Sequence, residues 1–210
     1  MRMAPKFPCI AALGLGFLAS CSDPVPPASQ GSVSLHFSGP SAAASMAGKM
    51  CQAGNHYSNA PSAFDSAQYT TGTSRPKDTI VDGEQGRTLS CSVKPSGDKF
   101  VVNAQLNVPA FDKDKKPLLN ATIIQLGTTI GKDESGATGS VVVSDNDTVA
   151  TYTSSTCTYS VKADMTVNAK LAIDAGKIWG SVDCQDMGDP KVPSSSCVVS
   201  GYFVLENCDQ

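Results

Sequence analysis

Few side chains in this sequence are equipped for chemistry, and they are scattered. His36 and His56 are the only histidines among 210 residues. With the thioethers of Met46 and Met50 they make a donor set that suits copper. Their spacing matches no copper motif, so solvent-facing histidines beside a small methionine contact are the plainer expectation. Asp183, Asp186 and Asp189 recur every three residues, and Asp145, Asn146 and Asp147 form a second oxygen-rich group. Calcium takes six to eight oxygens, and neither group has the Asp-x-Asp-x-Asp-Gly order of a calcium loop. Acidic turns account for both. Gly-x-Ser-x-Gly is absent, and the three glutamates, Glu84, Glu134 and Glu206, stand in no context suggesting a paired-carboxylate hydrolase. The expectation is no catalytic residue, no cofactor and no metal, with catalysis disfavoured but left open.

The remaining reactive groups are eight cysteines, and their roles depend on how the chain begins. Arg2 and Lys6 precede an apolar stretch from Phe7 to Ala19, a charged and then hydrophobic leader too short to cross a bilayer as a helix. It ends in Leu18-Ala19-Ser20-Cys21, one large apolar residue, two small ones and a cysteine. These residues resemble the lipobox of bacterial lipoprotein precursors. The resemblance covers 1–21 and is silent about the rest. It implies a signal peptide over 1–20, a diacylglyceryl thioether on Cys21, cleavage after Ser20, and acylation of the new amino terminus by a chain such as palmitate. Each buried methylene contributes about 0.8 kcal/mol, so two or more chains hold a protein at a bilayer where one would not. The expected location is outside the cytoplasm, anchored through Cys21. Ser22 rather than an aspartate follows the cysteine, which in the enterobacterial version of the class favours the outer membrane, with the domain facing the periplasm or the surface.

Setting aside Cys9 in the leader and Cys21 leaves Cys51, Cys91, Cys157, Cys184, Cys197 and Cys208. An even set in an exported chain reads as a disulfide framework. Sequence does not choose among the pairings; Cys51 with Cys91, and one local bridge among Cys184, Cys197 and Cys208, are the working expectation. No Cys-x-x-Cys pair is present, which argues against zinc.

Removing Arg2 and Lys6 from the 16 basic residues leaves 14 against 19 acidic ones, a formal charge of −5. Without a dense basic patch nothing would displace the counterions of a phosphate backbone, so nucleic acid is not an expected partner. The expected partners are the lipid membrane, through acylated Cys21, and a protein or a glycan.

The elements that would hold these residues are strands. After a Pro-rich tether over 21–30, Val33, Leu35 and Phe37 alternate with polar residues from Gly31 to Ser38, the period of a half-buried strand. From Pro40 to Asp78 the pattern dissolves, apart from an Ala-rich stretch over Ser41 to Met50 that could form a short helix. An irregular connection this long in a compact domain is uncommon, so hidden short strands or a functional loop are expected. Leu89, Cys91 and Val93 then alternate, Pro95-Ser96-Gly97-Asp98 turns the chain, and Val102, Ala104, Leu106 and Val108 return it. Strands are expected at Leu118 to Leu126, Gly139 to Ser144, Thr148 to Tyr152 and Cys157 to Val161. Met165 to Ile173 pairs with Ile178 to Cys184 about Asp174-Ala175-Gly176. A loop to Ser196 follows, then a last strand from Cys197 to Leu205.

Eight to ten antiparallel strands describe an all-β, disulfide-stapled sandwich or open barrel with a long irregular N-terminal loop, a single domain over 31–210. The functional expectation is a membrane-anchored structural or interaction module. The competing class is a small-ligand or metal-binding protein, or an extracytoplasmic enzyme, whose residues converge from separate strands.

Overall fold

The computed structural model describes residues 25–39, 56–58, 80–84, 86–111, 117–145, 150–162 and 171–210. Among them are eleven strands and no helix: β1 (Gln30–Ser38), β2 (His56–Ser58), β3 (Ile80–Val81), β4 (Thr88–Ser96), β5 (Lys99–Phe111), β6 (Pro117–Gly131), β7 (Ser135–Asp145), β8 (Ala150–Ser160), β9 (Ala172–Asp174), β10 (Lys177–Asp189) and β11 (Val192–Glu206). All pair antiparallel in one sheet of order β2-β1-β11-β10-β8-β7-β6-β5-β4, with β3 on β1 and β9 on β10. The sheet curls into a nearly closed barrel whose inward positions form one apolar cluster.

Local chemistry sets the hairpins. Ser96 pairs with Lys99, leaving Gly97-Asp98 as a two-residue loop. Gly97 has φ 65°, a left-handed angle at the first loop position that glycine adopts without steric cost. Inside, the largest fully buried side chains include Tyr152, Tyr159, Phe37 and Phe203. They meet edge to face, Phe37 on Tyr152 at 6.1 Å and Tyr159 on Phe203 at 5.8 Å between ring centroids, the arrangement ring quadrupoles favour. The Tyr159 hydroxyl donates to the Ser140 carbonyl at 2.7 Å, so its burial leaves no orphaned donor, and desolvation holds its pKa far above the ordinary phenol value. Gly180 makes room for Phe203: a Cβ there would lie 2.7 Å from the ring's Cζ.

The two ends of the sheet are brought together by chain that follows β11. Cys208 bonds to Cys91 of β4 with Cα atoms 4.9 Å apart, and Asp209 runs parallel to β4 at Ser92. Val93 N–H donates to Asp209 O, Asp209 N–H to Cys91 O, and Gly176 N–H to Val93 O, at 2.9 to 3.0 Å. Farther along the same edge, Leu89 N–H donates to Asp82 Oδ1 at 3.0 Å. Edge groups that would template pairing with another chain are thereby occupied. The second bridge, Cys157–Cys184, joins β8 to β10 with Cα atoms 4.2 Å apart.

These bonds correct the expected pairings. Cys91 takes Cys208 rather than Cys51, because the chain after β11 returns to the β4 edge, and Cys184 takes Cys157 rather than a neighbour downstream, because β8 and β10 are paired strands. Cys197 is also disulfide-bonded. The expected loop from Cys184 to Ser196 is mostly strand: β10 runs to Asp189 and only Pro190-Lys191 separate it from β11. A bulge between Cys184 and Met187 adds a residue, so both face inward and strict alternation fails. The strands expected at Thr148 to Tyr152 and Cys157 to Val161 are one strand, β8, for the same reason: its register slips between Ser154 and Cys157 against β7. Within 40–78, β2 is a short strand of the kind anticipated; the Ala-rich stretch over 41–50, Met165 to Lys170, and the segment Asn146-Asp147 lie outside the described residues.

Candidate functional site

The sequence-nominated acids do not converge. Asp183 accepts from Gln185 Nε2 on its own strand, Asp186 accepts from Ser196 Oγ at 2.6 Å, and Asp189, nearly buried, accepts from the Lys191 N–H at 2.8 Å. Asp186 and Asp189 line one outer concavity, each bound to its own local donor, and Asp183 is not among its lining residues. Among the described residues, no three His, Cys, Asp or Glu side chains are grouped to hold a metal. The histidines, by contrast, are brought into register: His36 of β1 is directly opposite His56 of β2, while Met46 and Met50 lie outside the described residues, as does Cys21. Glu134 closes the β6–β7 turn. Its carboxylate takes the Gly131 N–H at 2.5 Å and Lys99 Nζ at 3.0 Å, and those two partners, the backbone donor first, hold its pKa below the usual carboxylate range. Glu206 accepts from Trp179 Nε1 at 3.1 Å and from Gln30 Nε2 at 2.6 Å, which seats the lone tryptophan on the outer face over β11.

The feature that sequence reasoning missed is a trough on the outside of the barrel. Cross-strand register places Ser90, Gln105, Gln125, Val142, Thr153 and Gly188 in one row across β4, β5, β6, β7, β8 and β10. A second row, Ser92, Asn103, Gly127 and Ser140, runs beside it over β4 to β7. Two outer concavities of about 460 and 560 Å³ follow these rows and share Ser140 and Val142. At a strand spacing of about 4.8 Å the first row is about 24 Å long.

Its lining is uncharged along the whole of both rows. Charged groups sit only at the ends, Lys94 and Asp209 at one and Asp186 and Asp189 at the other. Gln125 Nε2 donates to Gln105 Oε1 at 3.1 Å, an exposed amide pair across the strands. That leaves the Gln125 oxygen and the Gln105 nitrogen for another partner. Beside them Gly127 opens a notch: a Cβ there would stand 3.1 Å from Ser140 Oγ and 3.6 Å from Asn103 Oδ1. Gly127 is extended backbone, absent from the positive-φ residues, so it marks space, not strain. On β1 and β11 the outward cross-strand pair Ser32 and Val204 is covered, at 1% and 5% exposure.

Fold and surface together define a class: a nearly closed, disulfide-braced antiparallel barrel with a packed interior and a polar trough outside. In comparison with known proteins, the chain matches no family model, no curated protein and no solved structure.

Proposed function

We propose that this protein is a lipid-anchored lipoprotein that displays its β domain outside the cytoplasm as an interaction module, held by acyl chains on Cys21. The observation that carries the second half is where the recesses lie: the interior is filled by Tyr152, Tyr159, Phe37 and Phe203, and the concavities are on the outer face. A packed interior leaves the surface as the place to meet a partner. The first half is supported by the leader and lipobox, and by disulfides, which persist in oxidising compartments.

The start of the domain suits a tether. Asn207 Nδ2 donates to the Ala28 carbonyl at 3.1 Å, and Ser29 Oγ donates to the Asn207 carbonyl at 3.1 Å. Between Cys21 and these bonds lie residues 22–27, six residues with a contour length of roughly 20 Å. Mass spectrometry of the mature protein tests the reading: it should begin at an acylated Cys21, and Cys21→Ser should retain the leader and lose the lipid. A mature chain with an unmodified sulfur at Cys21 would refute it.

A further inference from the structure

Among the described residues, the outer trough is a surface whose chemistry and shape agree on a ligand. From its two rows we infer that it binds an extended strand of a neutral polysaccharide lying across β4 to β8, an inference that names the partner of the interaction module proposed above.

The argument starts from what the lining lacks. A protein partner is held by a desolvated centre of aromatic, methionine and arginine side chains, with serine depleted. Neither row has any of these; Val142 is the single aliphatic side chain in them. A polyanion needs lysine or arginine along its path, and both rows are free of them. What remains is a line of amides and hydroxyls. Each amide offers two donors and an acceptor, and each hydroxyl both donates and accepts. A ligand that reciprocates must carry many neutral groups that do the same at a regular repeat, which is the chemistry of a sugar polymer.

The geometry gives that ligand a place. The two rows are two residues apart along each strand, about 6.7 Å, and the Gly127 notch lies between the Asn103 amide and the Ser140 hydroxyl. Among the described residues no hydrogen bond occupies the Asn103 side chain, and its Oδ1 lies beside the notch. The Gln105–Gln125 pair is already aligned by its mutual bond, which reduces the ordering entropy lost on binding. The Asp186 and Asp189 carboxylates at the β10 end disfavour a polyanion there.

The test uses the full mature protein, with its anchor, in detergent micelles. Cello-, malto- and chito-oligosaccharides are titrated by calorimetry, and the side-chain amide resonances of Asn103, Gln105 and Gln125 are followed by NMR. At least one of the three should saturate with shifts at those amides. Asn103→Ala should weaken it about tenfold, the loss of one or two neutral hydrogen bonds. Gly127→Val, which fills the notch with the strand unchanged, should abolish it; a melting temperature equal to the parent's separates that loss from unfolding. Failure of all three to saturate, or saturation unaffected by both substitutions, overturns the inference. Binding of polygalacturonate in place of the neutral chains overturns it as well. Each of these leaves acylation of Cys21 standing, whereas an unmodified Cys21 removes the anchor and leaves the trough's ligand as it was.

Discussion

Replacing Cys91 and Cys208 together by alanine opens the seam of the barrel, and the loss can be estimated from chain topology. The bridge spans 117 residues, but the Cys157–Cys184 bond short-cuts 27 of them, which leaves an effective loop of about 90. Chain entropy then assigns the bridge about 4.6 kcal/mol, less where the bond at Cys197 shortens the path further, and the Cys157–Cys184 bridge about 3.6 kcal/mol. For a domain of this size the first loss lowers the melting temperature by about 9 to 18 °C. Urea unfolding of the Cys91→Ala/Cys208→Ala protein and of the Cys157→Ala/Cys184→Ala protein, with the other bonds intact, measures both. Hydrogen exchange adds a local signature: the amides of Val93, Gly176 and Asp209, which bond across the seam, should lose protection in the first variant and keep it in the second. A loss below about 2 kcal/mol for the seam bridge, or unchanged protection at those three amides, would refute the view that this bond closes the barrel.

Two further outcomes follow from single positions. Gly180→Ala should cost about 1 to 3 kcal/mol in chemical denaturation, because the new methyl meets the Phe203 ring at 2.7 Å and the ring must leave its packed position; stability equal to the parent's would show that the ring moves freely. Glu134 has a folded pKa below its ordinary 4.5, so its contribution to stability is fully present above pH 4.5 and is lost as pH falls through the lowered value. Glu134→Gln should therefore flatten the acid side of the stability profile in that window, read by thermal melts from pH 7 down to pH 3, and a profile identical to the parent's would contradict the Gly131 and Lys99 contacts.

Much of the scaffold is readable from residue order, because alternation reports strands wherever one face is buried. Val33, Leu35 and Phe37, and Leu89, Cys91 and Val93, are buried as their spacing demands, and the Gly97-Asp98 loop falls where Pro95 to Asp98 suggests a turn. Alternation fails at bulges. Tyr152 and Cys157 both face inward although five residues apart, so one long strand reads as two, and Asp189 conceals the end of β10 by being an acid in a buried position. The trough is hidden for a different reason. Ser90, Gln105, Gln125 and Thr153 become neighbours only through register, a property of pairing and not of any local stretch. The available signal was compositional: outward positions of β4 to β7 are rich in serine, asparagine and glutamine, with few charges.

The seam also has a consequence for how the molecule is made. Cys91 leaves the ribosome 117 residues ahead of the cysteine it ends up with, and Cys157 emerges in between. Thiols that couple in order of appearance would join Cys51 to Cys91, or Cys91 to Cys157, and either product leaves Cys208 without its partner. From such products the native set is reached by thiolate exchange once Cys208 is available. Oxidative refolding should be slow and sped by a disulfide isomerase, with crossed-over intermediates accumulating when shuffling is blocked by acid.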